Sequence, residues 1–102
     1  MAVKPIGDAS ALIFGGTAGI GLASAEALLR DGLPRLVVVG RNAERGEAAR
    51  RRLSAACPEA TVGFMACDAT RPDEVAATVD RAAAAMGSID ILVSSAGGDP
   101  MP

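Results

Sequence analysis

Two kinds of block alternate along this chain: short apolar runs, and longer stretches in which apolar residues return every third or fourth position. The runs are Ser-Ala-Leu-Ile-Phe at 10–14, Arg-Leu-Val-Val-Val at 35–39, Thr-Val-Gly-Phe-Met-Ala at 61–66 and Ile-Asp-Ile-Leu-Val at 89–93. Such runs predict strands, the first buried, the second covered on both faces and the third interrupted by Gly63. Between them, Ala18, Leu22, Ala25 and Leu29 form one stripe of a helix expected over residues 20–30. Gly46, Ala49, Leu53 and Ala56 share a face over 43–56, and Val75, Val79, Ala82 and Met86 do so in a third helix that starts near Thr70 and stops at Gly87.

Stop and start signals agree with this division. Asp31-Gly32 supplies a left-handed stop and Pro34 prevents the first helix from resuming. Asn42 is placed to cap the second helix, with Glu44 in its first turn and Pro58 after its end. Thr70 or its neighbour caps the third, followed by Pro72, Asp73 and Glu74. The order is βαβαβαβ. Right-handed crossovers then require a parallel sheet, with expected strand order 3-2-1-4 and ligand at the carboxyl ends of the strands where that order reverses.

One turn carries more chemical information than the rest. Gly15-Gly16-Thr17-Ala18-Gly19-Ile20-Gly21 follows the first strand and opens the first helix. Glycines at 15, 19 and 21 allow a sharp turn, close approach of the backbone to a pyrophosphate, and tight helix packing. Amide groups at the helix start then face the phosphates. A glycine turn by itself also occurs where no nucleotide binds.

Composition narrows the class. At 102 residues and 50% hydrophobic, the chain is sized for one domain spanning 1–102. Its net charge of −2 gives no reason to expect nucleic acid or an anionic membrane as partner. Arg50, Arg51 and Arg52 share a helix with Glu44 and Glu47, so they read as a solvated face. No His is present, and Cys57 and Cys67 have no metal-ligand spacing, so no metal site is expected and the thiols read as free. The first residues lack a signal-peptide pattern and no run reaches membrane-spanning length, which points to a cytoplasmic protein.

Four segments in order resemble the short-chain dehydrogenase/reductase family: the glycine turn, Gly40-Arg41-Asn42 after the second strand, Asp68 after the third, and Gly-Ser-Ile-Asp-Ile-Leu-Val-Ser-Ser-Ala-Gly at 87–97. The resemblance runs from Pro5 to Gly97 and covers about the first two-fifths of a typical member. It implies a Rossmann-like α/β/α fold that binds a nicotinamide dinucleotide, with hydride exchanged between that cofactor and an alcohol or carbonyl. By the same resemblance Gly15, Thr17, Ala18, Gly19, Ile20 and Gly21 surround the pyrophosphate, Ile20 lying toward the nicotinamide. Asp68 would accept a bond from the adenine amino group beside the Ala69 amide, and Ala96 and Gly97 would pass the adenosine ribose. Phe14 stands where the family usually has Thr, and Ser94 and Ser95 where it usually has two asparagines.

The second strand decides the cofactor expected. An NAD site places an acid there for the ribose hydroxyls. Here the position is Gly40, followed by Arg41, whose guanidinium suits a 2′-phosphate, and by Asn42, a further donor or a helix cap. NADP(H) is therefore expected over NAD(H). The family's catalytic Tyr and Lys lie beyond the fourth strand; this chain has no Tyr, and its one lysine, Lys4, is in the amino-terminal arm, so no catalytic residue is assigned. Three roles remain open: part of an oxidoreductase, a nucleotide-binding module, or a partner-association module. The apolar fourth strand, with Ile89, Ile91 and Val93, is expected to self-associate or pair through its open edge.

Overall fold

In the computed structural model, which describes residues 5–94, the four strands form one parallel sheet of order β3-β2-β1-β4, as the connection rules require. The strands are β1 (Ser10–Phe14), β2 (Arg35–Gly40), β3 (Thr61–Ala66) and β4 (Ile91–Ser94). The helices are α1 (Gly19–Arg30), α2 (Ala43–Ala56) and α3 (Pro72–Met86). A 3-10 turn at Ile6–Asp8 precedes β1 and had no signal in the hydrophobic pattern.

Period-two alternation splits the core. Ala11, Ile13, Leu36, Val38 and Val62 face α1 and α2, where they meet Ala25, Leu29 and Leu53. Leu12, Phe14, Val37 and Val39 face the other way and are covered by α3 through Ala82 and the half-buried Val75, Val79 and Met86. Every residue of β1 is buried, which is why its sequence is continuously apolar after Ser10. Gly63 does not break β3: the strand runs through it, paired with Val37. On α2, Gly46, Ala49 and Leu53 are buried as the stripe requires, whereas Ala56 at the last position is exposed. Gly46 lets α2 approach β3 so closely that a Cβ there would overlap the Phe64 ring.

The helix ends follow local chemistry with one exception. Gly32 (φ 106°) donates to the Leu29 carbonyl and Leu33 to that of Leu28, the paired bonds of a Schellman stop. Asn42 Oδ1 accepts from Arg45 N at 3.0 Å and caps α2. At α3 the cap residue is Arg71, the neighbour of Thr70; its guanidinium has no acceptor to offer an amide, and the Thr70 hydroxyl donates to Asp68 Oδ1 at 2.7 Å. Of the arginine cluster, Arg50 bonds Glu47 on its own helix and Arg52 reaches Glu26 of α1, both at the surface.

β4 begins at Ile91, two residues later than expected. Asp90 explains the delay. Its N–H donates to the Ser10 carbonyl while its own carboxylate, rather than a backbone carbonyl, accepts from Ser10 N at 2.9 Å. Ser10 Oγ in turn accepts from Arg35 Nε at 2.7 Å, and Arg35 also donates to the Asp8 carbonyl. This polar chain crosses β4, β1 and β2 at their amino ends. Among the described residues no helix is long and apolar enough to cross a membrane, and no cluster of three metal-ligating side chains occurs.

Candidate functional site

At the carboxyl ends of β1, β2 and β3 the three connecting turns converge. Gly15, with φ 82°, reverses the chain after β1 and donates from its N–H to the Val39 carbonyl at 2.7 Å. That bond ties the turn to the end of β2 although Phe14 offers no hydroxyl there. Gly16 is held tighter still: a Cβ would lie 2.8 Å from Val38 Cγ1 and 3.2 Å from Ile13 Cγ2. The sequence pattern singles out Gly15, Gly19 and Gly21 and passes over this close approach at Gly16.

The start of α1 is open. Gly19 has φ 59°, a conformation that disfavours other residues, and a Cβ built on it meets nothing within 4 Å. Ala18, the residue before the helix, is exposed and makes no side-chain cap bond, and the first turn holds no acid. The α1 amino terminus thus keeps its amide donors for an anion, in contrast to α2, which Asn42 caps. Gly21 is buried within α1, and Ile20 beside it is 79% exposed, an apolar side chain left bare at the mouth of the turn.

Beside this turn, Thr17, Arg41, Asn42 and Arg45 line a cleft of about 430 Å³. Thr17 packs on Gly40: a Cβ at residue 40 would stand 2.8 Å from Thr17 Cγ2 and 3.1 Å from its Oγ1. Gly40 is thus a position whose side-chain space Thr17 already occupies. Arg41 extends into solvent with Nη1 3.9 Å from Asp68 Oδ2, so the turns after β2 and β3 face one another. Arg45 was not among the residues singled out from sequence; its only local signal is a cation in the first turn of a helix, against the dipole.

Asp68 is oriented by its neighbours. Its Oδ1 accepts from both the hydroxyl and the N–H of Thr70, at 2.7 and 3.0 Å. These two bonds, opposed by desolvation and with lesser help from Arg41 and Arg71, hold its carboxyl below the ordinary value near 3.8. Asp68 N donates to Glu74 Oε1 at 3.0 Å, which anchors the turn to the first helical residues of α3. Ala69 follows, exposed. Ala96 and Gly97, also named from sequence, lie outside the described residues.

A larger groove of about 540 Å³ opens at the opposite end of the sheet, where Leu33 and Pro34 face Cys57 and Pro58. It sits at the amino ends of β2 and β3, away from the crevice in which open parallel sheets take ligands.

Residues 9–102 match the family model described as short chain dehydrogenase. The chain is 41% identical over 87 residues to cis-4-hydroxycyclohexanecarboxylate dehydrogenase of Sinomonas cyclohexanicum, an alignment covering 85% of this chain and 33% of that protein. Among solved structures, an NADPH-bound short chain oxidoreductase from Pseudomonas aeruginosa PAO1, described as containing an atypical catalytic center, superposes with a TM-score of 0.81 at 31% identity, covering 88% of this chain and 35% of that one. An NAD+-bound xylitol dehydrogenase superposes with a TM-score of 0.78 at 28% identity, covering 87% and 33%. The chain spans about a third of the length of these relatives.

Proposed function

The chain belongs to the short-chain dehydrogenase family, and on that basis we propose that it is the dinucleotide-binding part of an oxidoreductase that uses NADP(H) in preference to NAD(H). The observation that carries the reading is the end of β2, where Gly40 has no side chain, Thr17 fills the space one would take, and Arg41 stands over the cleft. An acid at this position would accept from ribose hydroxyls and repel a 2′-phosphate; a guanidinium reverses both preferences.

The residues fit a dinucleotide along the length of the rim. Gly15, Thr17, Ala18, Gly19 and Gly21 would hold the pyrophosphate against the uncapped start of α1, which supplies amide donors and open space at Gly19. Ile20 would flank the nicotinamide, which accounts for its exposure. Arg41 and Asn42 would take the ribose phosphate, Asp68 and Ala69 the adenine, and Ala96 and Gly97 the far side of the ribose. Bound nicotinamide supplies hydride transfer to or from a carbonyl or alcohol. This chain binds and orients; its 102 residues contain no Tyr to serve as the family's acid.

Titration with NADPH and NADH, followed by nicotinamide fluorescence, tests the reading. NADPH is expected to bind at least about tenfold more tightly, and Arg41→Ala to weaken NADPH by about 10- to 100-fold while leaving NADH little changed, the range for losing a charged hydrogen bond. Equal affinity for both cofactors in the unaltered chain overturns the preference.

A partner-association role has its own support. Among the described residues β4 has a single sheet neighbour, and Leu92, on the face that α3 covers over β1 and β2, is 61% exposed. An apolar, unpaired edge favours pairing with a second chain. Sedimentation velocity over a concentration series should show association that Leu92→Glu weakens; a monomer at every concentration removes this role.

A further inference from the structure

We propose that Arg45 is a second specificity-determining guanidinium for the 2′-phosphate of the cofactor, acting with Arg41; the proposal rests on the dinucleotide reading above. Three observations support it. The Asn42 cap fixes the backbone of Arg45 at the third position of α2, and from there its side chain lines the same cleft as Arg41. Next, Arg45 has no carboxylate within 4.0 Å among the described residues; Arg35, Arg51 and Arg81 share that property but do not line this cleft, and Arg30, Arg50, Arg52 and Arg71 each have one. Last, a cation in the first helical turn works against the dipole, so its own helix offers it no electrostatic reward there.

Two guanidiniums against one nearby acid leave this cleft net positive, as a phosphate site requires. A phosphate monoester carries close to two negative charges near neutral pH and offers three acceptor oxygens. Arg41, at the end of β2, and Arg45, one helical turn further on, present two planar donor forks to one cleft. The Asn42 carbonyl oxygen is occupied by the cap, which leaves its amide N–H groups as the polar atoms available to an anion. With Asp68 drawing on Arg41 from 3.9 Å, Arg45 is the cation of the pair with no competing acid.

Calorimetric titration with adenosine 2′,5′-bisphosphate and with adenosine 5′-monophosphate isolates this contact from the nicotinamide and from turnover. In the unaltered chain the bisphosphate should bind more tightly. Arg45→Ala should weaken the bisphosphate by about tenfold, leave the monophosphate within about twofold, and leave the melting temperature unchanged or slightly raised, since a cation leaves the first turn. Arg45→Lys should restore part of the loss. If Arg41→Ala abolishes the preference and Arg45→Ala does not, the second guanidinium is refuted while the NADP(H) reading stands. Equal weakening of both ligands by Arg45→Ala also refutes it. If the unaltered chain shows no preference, the NADP(H) reading fails and this proposal with it.

Discussion

Gly46→Val is expected to destabilise the protein by about 1–3 kcal/mol, the usual cost of overpacking, and to lower its melting temperature by about 5–20 °C for a domain of this size. Helix propensity predicts the opposite sign, because valine is the better helix former by a few tenths of a kcal/mol. Packing wins because α2 rests on β3 at this point, and even a Cβ at residue 46 overlaps the Phe64 ring, which belongs to the core layer beneath the helix. Shortening the facing side chain should relieve the conflict: in a Phe64→Leu background the same valine should cost less, and the difference measures the contact. Thermal melts of the four chains decide it. A raised melting temperature for Gly46→Val alone would show that the ring moves aside freely.

Gly40→Asp combined with Thr17→Ala is expected to turn the cofactor preference around, from NADPH to NADH, by an overall factor of about 100 to 1,000. The aspartate supplies an acceptor for the ribose hydroxyls and a charge that repels a 2′-phosphate, each worth a few kcal/mol at close range. Thr17→Ala is needed because the new Cβ would otherwise press on the Thr17 side chain at 2.8 Å. Gly40→Asp alone should therefore also loosen the glycine turn and weaken both cofactors. Fluorescence titrations of the single and double variants separate the two effects. Retained NADPH preference in the double variant would mean that the missing acid is not what sets the specificity.

Features governed by a few neighbouring residues were legible in the sequence. Asn42 caps α2 because its side chain needs only the amide three residues on, and Gly32 stops α1 because its own backbone preference suffices. The valine run of β2 marks a strand covered on both faces wherever it occurs. Features that depend on a distant partner were not legible. Gly16 and Gly46 matter because Val38 and Phe64 happen to lie opposite them. The sequence leaves the α3 cap between Thr70 and its neighbour; Arg71 takes the position, because Asp68, two residues before Thr70, engages the Thr70 hydroxyl. Arg45 joined the candidate site only when the fold set the first turn of α2 beside Thr17.

The start of β4 carries a consequence for how the sheet keeps its alignment. Parallel strands offer evenly spaced bonds, and a strand as short as Ile91–Ser94 has little of its own to choose one pairing over the next. The Asp90 carboxylate meets one specific amide, that of Ser10, whose hydroxyl is already engaged by Arg35. A slip of β4 by one residue would leave the buried Ser10 amide without that acceptor. The sheet is thus riveted at its base like the ribs of a fan. Its opposite rim, where the glycine turn and the two arginines stand, is free to be shaped by what binds there without putting the register at risk.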